Sequence, residues 1–91
     1  MPRAEIAVHH EVGLHARPAA LFVKLAASFP CEVKVRNVSS GSQSVNAKSI
    51  LSVLSIGVNS GDTIAIETSG DQADEALVAL QELVRGNFGE Q

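Results

Sequence analysis

The chain has 91 residues, 45% of them hydrophobic and 19% charged, enough for one compact domain with one core and too little for a deep enclosed cavity. Seven Lys and Arg against ten Asp and Glu give a net charge of -3 with the basic residues scattered, which argues against nucleic acid or an anionic membrane as the main partner. There is no Trp or Tyr to stack bases, the lone Cys31 cannot close an internal disulfide, and no apolar run resembles a signal peptide or reaches the roughly 20 residues of a membrane span, so the expected setting is the cytoplasm.

Alternation from Ala4 to Val8 predicts a first strand with Ala4, Ile6 and Val8 on its buried face. After Gly13 the period becomes helical: Pro18, Leu21, Phe22, Leu25 and Ala26 share one side and Lys24 and Ser28 the other, so a helix is expected from Ala16 to Ser28, stopped by Pro30. Cys31, Val33 and Val35 then alternate with Glu32, Lys34 and Arg36. The turn-rich stretch Asn37 to Ser44 around Gly41 leads to a short third strand near Val45, making a hairpin. Asn46 is the expected cap of a short helix ending at Gly57. In that helix Val53, Ile56 and, at its edge, Ile50 share an inward arc, while Leu51 and Leu54 lie on another. Asn59 to Asp62 reads as a turn before a fourth strand, Thr63 to Thr68. The last helix is expected to start at an Asp71 cap with Asp74 in its first turn. Its apolar stripe of Ala73, Ala76, Leu77, Leu80, Leu83 and Val84 runs to Arg85 before Gly86, and Asn87 to Gln91 reads as a loose tail. The order βαββαβα, with one apolar face per strand, predicts an antiparallel or mixed sheet with all helices on one side.

The most informative stretch is Gly13-Leu14-His15-Ala16-Arg17-Pro18-Ala19-Ala20. A Gly that allows an unusual turn precedes a His, an Arg, and a Pro in the first turn of a helix, where its missing amide hydrogen costs nothing. Helix starts attract phosphate, and here the amides would be joined by the Arg17 guanidinium and the His15 imidazole. The same positive surroundings favour a neutral, nucleophilic imidazole. These residue types point to a phosphoryl site.

The run GLHARPAA, the later run NAKSILSVLSIG from Asn46 to Gly57, the length and the element order together resemble the HPr family, the histidine-containing phosphocarriers of the bacterial sugar phosphotransferase system. The resemblance covers nearly the whole chain, so residues 1 to 91 are expected to form a single domain of this kind. It implies an α+β open-faced sandwich, a four-stranded antiparallel sheet with three helices on one face. It also implies that His15 takes a phosphoryl group from the phosphoenolpyruvate-dependent enzyme I and passes it to an enzyme IIA, with His15, Ala16 and Arg17 around the phosphate and Arg17 neutralising its charge. By the same resemblance Ser49 is a regulatory serine for a dedicated kinase and phosphatase, and Ile50, Leu51 and Leu54 are the surface that meets the partners. Such a protein is a carrier rather than a stand-alone catalyst, a monomer without metal or organic cofactor. The alternatives are a regulatory binding module of the same fold controlled at Ser49, and a nitrogen-related phosphocarrier.

Two departures stand out. The position three residues before His15, often Ser, Thr or Asn in the family, is Val12, so a polar contact near the phosphate is expected to be missing. The hairpin between the second and third strands is longer than usual, which puts the family's regulatory serine at Ser49. Elsewhere, His9 and His10 would point to opposite faces of a strand with no ligand at suitable spacing, so both are expected to be solvated surface residues. Cys31 is expected in the core, and no Gly-x-Ser-x-Gly run supports a serine hydrolase.

Overall fold

The first strand, β1 (Arg3–Ala7), lies at one edge of a four-stranded sheet ordered β1-β4-β2-β3, with β2 at Glu32–Asn37, β3 at Val45–Asn46 and β4 at Thr63–Ser69. The computed structural model describes residues 2–11 and 13–89. All pairings are antiparallel. Three helices, α1 (Ala16–Ala27), α2 (Ile50–Ser55) and α3 (Ala73–Arg85), complete the α+β architecture. Helix α3 packs on β1 and β4, α1 lies against α2 and α3, and α2 meets β3. The core between the layers contains Phe22, Leu14, Ile64, Ile66, Leu80, Val33, Val35, Val53 and Val58. Side chains of this kind each contribute about 1.5–3 kcal/mol when fully buried. The alternation in β2 holds, with Val33 and Val35 inward and Glu32 and Lys34 exposed. In β4, Ala65 is buried although it faces away from the helices, because it is small and sits between its register partners Glu5 and Arg36. Among the described residues no helix is long and apolar enough to cross a membrane.

Several local expectations are corrected. Asn46 does not cap α2: it pairs with Lys34 in β3, and its side-chain oxygen accepts from the Lys48 amide at 2.9 Å, closing a turn ahead of the helix. The cap is Ser49, in extended conformation, whose Oγ accepts from the Ser52 amide at 3.3 Å, so Ser49 precedes the helix instead of lying within its first turn. Gln72, not Asp71, occupies the cap position of α3, because Gly70 and Gln72 both take positive φ and turn the chain sharply after β4; Asp74 lies in the first turn as expected. Asn37 is not loop but the last residue of β2, and it is buried. Asn87 to Gly89 form a 3-10 turn that buries Phe88, so this part of the expected tail belongs to the core, while residues 90 and 91 lie outside the described residues. His10 is not solvated. It is only 8% exposed, with its ring edge-on to Phe88 at 5.7 Å, whereas His9 is exposed.

Candidate functional site

The register decides where the loops meet. Ala7 pairs with Thr63 and Asn37 with Ile64, so the end of β1, the end of β2 and the start of β4 lie at the same end of the sheet. The β1–α1 segment and the segment before β4 are therefore laced together. The Val8 amide donates to the Asp62 carbonyl at 2.8 Å, the Gly61 amide to the Val8 carbonyl at 2.7 Å, and the Leu14 amide to the Val58 carbonyl at 3.0 Å. Gly13 is required here: its φ is +70°, and a Cβ would overlap the Val58 carbonyl oxygen and stand 2.7 Å from Asn59 Cα. The side chain of Leu14 is fully buried beside it, which fixes the backbone from which His15 projects.

His15 is the N-cap of α1, in extended conformation, and its ring is partly exposed. Ala16 follows with φ +45°, a left-handed value uncommon for a residue with a Cβ. Arg17 is exposed on the first turn, and Pro18 is buried one position on. The amides of a helix's first turn and its dipole face the N-terminus, so His15 stands where an anion is best accommodated. His15, Ala16 and Arg17 stand together at this helix start.

The polar neighbour of His15 comes from a residue that sequence reasoning treated only as turn. Nε2 of His15 lies 3.3 Å from Oδ1 of Asn59, 44 positions along the chain. The Asn59 amide donates to Asp62 Oδ2 at 2.9 Å, and the Asp62 amide donates back to the Asn59 carbonyl at 3.0 Å. Asn37 Nδ2 donates to the same Asp62 oxygen at 3.0 Å and approaches the Ile56 carbonyl at 3.4 Å, while its Oδ1 accepts from the Ser40 amide. The Asn59 amide, and then the Asn37 side chain, hold the Asp62 carboxyl below its usual value of 3.8. Val12, where a polar contact is expected to be missing, lies outside the described residues. The one signal pointing to Asn59 was that its turn precedes β4, whose antiparallel pairing with β1 brings it to the same end as His15.

Helix α2 leads directly into this turn, Leu54 standing five residues before Asn59. Ile50, Leu51 and Leu54 are 38%, 78% and 37% exposed, while Val53 and Ile56 are buried, so Ile50 belongs with the outward leucines rather than the inward arc. Ser49 stands at the opposite end of α2 from Asn59, half-buried, and is not part of the His15 cluster. Lys48 beside it donates through Nζ to the Phe29 carbonyl at 2.8 Å, tying the start of α2 to the end of α1. Cys31 is buried, and a concavity of about 370 Å³ beside it, between Pro30 and Lys48, shares no residue with the His15 cluster. No group of three or more His, Cys, Asp or Glu side chains stands together as a metal site among the described residues.

Residues 2–86 match the family model PTS-HPr, described as the PTS HPr component phosphorylation site. The phosphocarrier protein HPr of Pseudomonas aeruginosa is 44% identical over 91 residues, covering 99% of this chain and 98% of that protein. The multiphosphoryl transfer protein of Salmonella typhimurium is 32% identical over 87 residues, covering 96% of this chain and 23% of that longer protein. A crystal structure of HPr from Thermoanaerobacter tengcongensis superposes with a TM-score of 0.94 at 40% identity, covering 100% of this chain and 99% of that one.

Proposed function

Since the chain belongs to the HPr phosphocarrier family of the phosphotransferase system, we propose that it accepts a phosphoryl group on His15 from enzyme I and passes it to an enzyme IIA. The observation that carries this reading is the position of His15, a partly exposed imidazole at the start of α1 with one ring nitrogen tethered to Asn59 Oδ1. An amide oxygen only accepts, so the contact pairs with the neutral tautomer that carries its proton on Nε2 and keeps the lone pair of Nδ1 for the reaction. In transfer, the bond from Nδ1 to phosphorus forms as the bond from phosphorus to the donor atom breaks, and the ring becomes a cation that retains its Nε2 proton. Such a transition state needs alignment and charge neutralisation more than a pocket. The start of α1 and the Arg17 guanidinium supply the neutralising charge at Ala16 and Arg17.

The apolar strip of Ile50, Leu51 and Leu54 is the docking surface for both partners, supported by its exposure on the helix that runs into Asn59. Ser49 at the head of that helix is the regulatory position, open to a kinase and phosphatase, and the carrier acts in the cytoplasm as a monomer without a cofactor of its own. Incubation with phosphoenolpyruvate and enzyme I is the test. The expected product is an acid-labile, base-stable phosphate on the wild-type chain, absent from His15→Ala while its circular dichroism stays that of the wild type. A wild-type chain that takes no phosphate would favour a regulatory module instead, and label retained by His15→Ala would move the acceptor elsewhere.

A further inference from the structure

We propose that Asn59 is the positioning residue for His15, and that Asp62 and Asn37 exist in this chain to hold Asn59 in place. The proposal rests on the phosphocarrier reading and adds to it a brace that runs from the end of β2 through the turn before β4 to His15. Its anchor is Asn37, 1% exposed at the end of β2, whose amide nitrogen is shared between Asp62 Oδ2 and the Ile56 carbonyl. Asp62 in turn pins the Asn59 backbone from both sides, donating to its carbonyl and accepting from its amide. The Leu14 amide bonds the Val58 carbonyl next door, so the backbones that carry His15 and Asn59 are fixed to each other. An exposed Asn would otherwise lose rotamer freedom to make one bond, and this bracing removes part of that cost beforehand.

Three consequences follow for the ring. The Asn59 oxygen keeps the proton on Nε2, which leaves Nδ1 as the nucleophile. It restrains ring rotation, so Nδ1 stays directed to one side. It also faces the N–H that becomes part of a cation when the Nδ1–phosphorus bond forms, so the hydrogen bond is stronger in the transition state than before it.

The test compares wild type with Asn59→Ala, which removes the acceptor, and Asn59→Asp, which keeps one. Nitrogen-15 spectra of the His15 imidazole should show an Nε2–H tautomer with slowed proton exchange in wild type and Asn59→Asp, and a faster-exchanging, tautomerically mixed ring in Asn59→Ala. In single-turnover transfer from phosphorylated enzyme I, Asn59→Ala should lower the rate constant about tenfold, the scale of one hydrogen bond to a charged group, with KM for enzyme I unchanged and Asn59→Asp largely restored. Identical imidazole spectra and transfer rates in wild type and Asn59→Ala would overturn the positioning role while leaving His15 as the acceptor. Equal loss in Asn59→Ala and Asn59→Asp would overturn it too, because the loop and not the acceptor would then matter. Failure of the wild-type chain to accept phosphate would strike the phosphocarrier reading itself, and the spectra would still report the ring.

Discussion

At the scale of single residues, the proposed transfer gives the reaction to His15 and the charge to Arg17. His15 is held by backbone on one side and by Asn59 on the other, so little rearrangement is needed as phosphate arrives. Arg17 is exposed on the first turn, where a guanidinium can meet phosphate oxygens in a planar fork. Arg17→Lys keeps the positive charge and loses the fork. A charged hydrogen bond of about 1.5–3 kcal/mol made mainly in the transition state corresponds to roughly one to two decades in rate, and the lysine variant should lose a large part of it. Stopped transfer from phosphorylated enzyme I measures this directly, and wild-type speed in Arg17→Lys would remove Arg17 from the chemistry. The mutation should leave the melting temperature nearly unchanged, since the side chain is outside the core.

At the scale of elements, α2 joins a cap, an apolar strip and the turn that touches His15. Ser49→Ala removes the Oγ that accepts from the Ser52 amide and should cost about 1 kcal/mol, whereas Ser49→Asp keeps a capping oxygen and should melt at or slightly above the wild-type temperature. The added charge beside Leu51 should nevertheless slow phosphate transfer from enzyme I, because it must lose water when a partner docks. Wild-type kinetics in Ser49→Asp would show that Ser49 is not a switch. Leu51→Glu, at 78% exposure, and Leu54→Glu should weaken partner binding with little loss of stability, and a large drop in melting temperature would mark either leucine as core. The elements themselves were legible because their periodicities are strong: alternation in β1, β2 and β4, and helical stripes in α1 and α3. Their caps were less so. Asn46 and Ser49 both have capping side chains three residues apart, and only the pairing of Asn46 with Lys34 decides that the strand takes the first and the helix the second. Asp71 lost its place to Gln72 through a backbone turn that residue preference does not reveal. Of the site, GLHARPAA was visible as one contiguous run, whereas the turn holding Asn59 and Asp62 is joined to His15 and to Asn37 only by contacts between distant parts of the chain.

At the scale of the whole molecule, the site is a product of strand order. Placing β4 between β1 and β2 brings the segment after β1, the turn before β4 and the last residue of β2 to one end of the sheet, and His15, Asn59, Asp62 and Asn37 gather there. Asp62 is a group through which this convergence responds to acid. The Asn59 amide and then the Asn37 side chain hold its carboxyl below the usual 3.8, at which it would titrate in the unfolded chain. A carboxyl depressed in the folded state adds stability that is present above the unfolded value and is lost as pH falls through the folded one. The wild-type melting temperature should therefore fall more steeply than that of Asp62→Asn as pH drops through and below the unfolded value of 3.8, because the Asn oxygen still accepts but does not titrate. The gap between the two proteins should be widest above that value and close as the folded carboxyl titrates. Other carboxylates contribute equally to both curves, so the difference isolates Asp62. Parallel curves would mean that the charge on Asp62 contributes nothing to the fold and that the junction is held by its neutral hydrogen bonds alone.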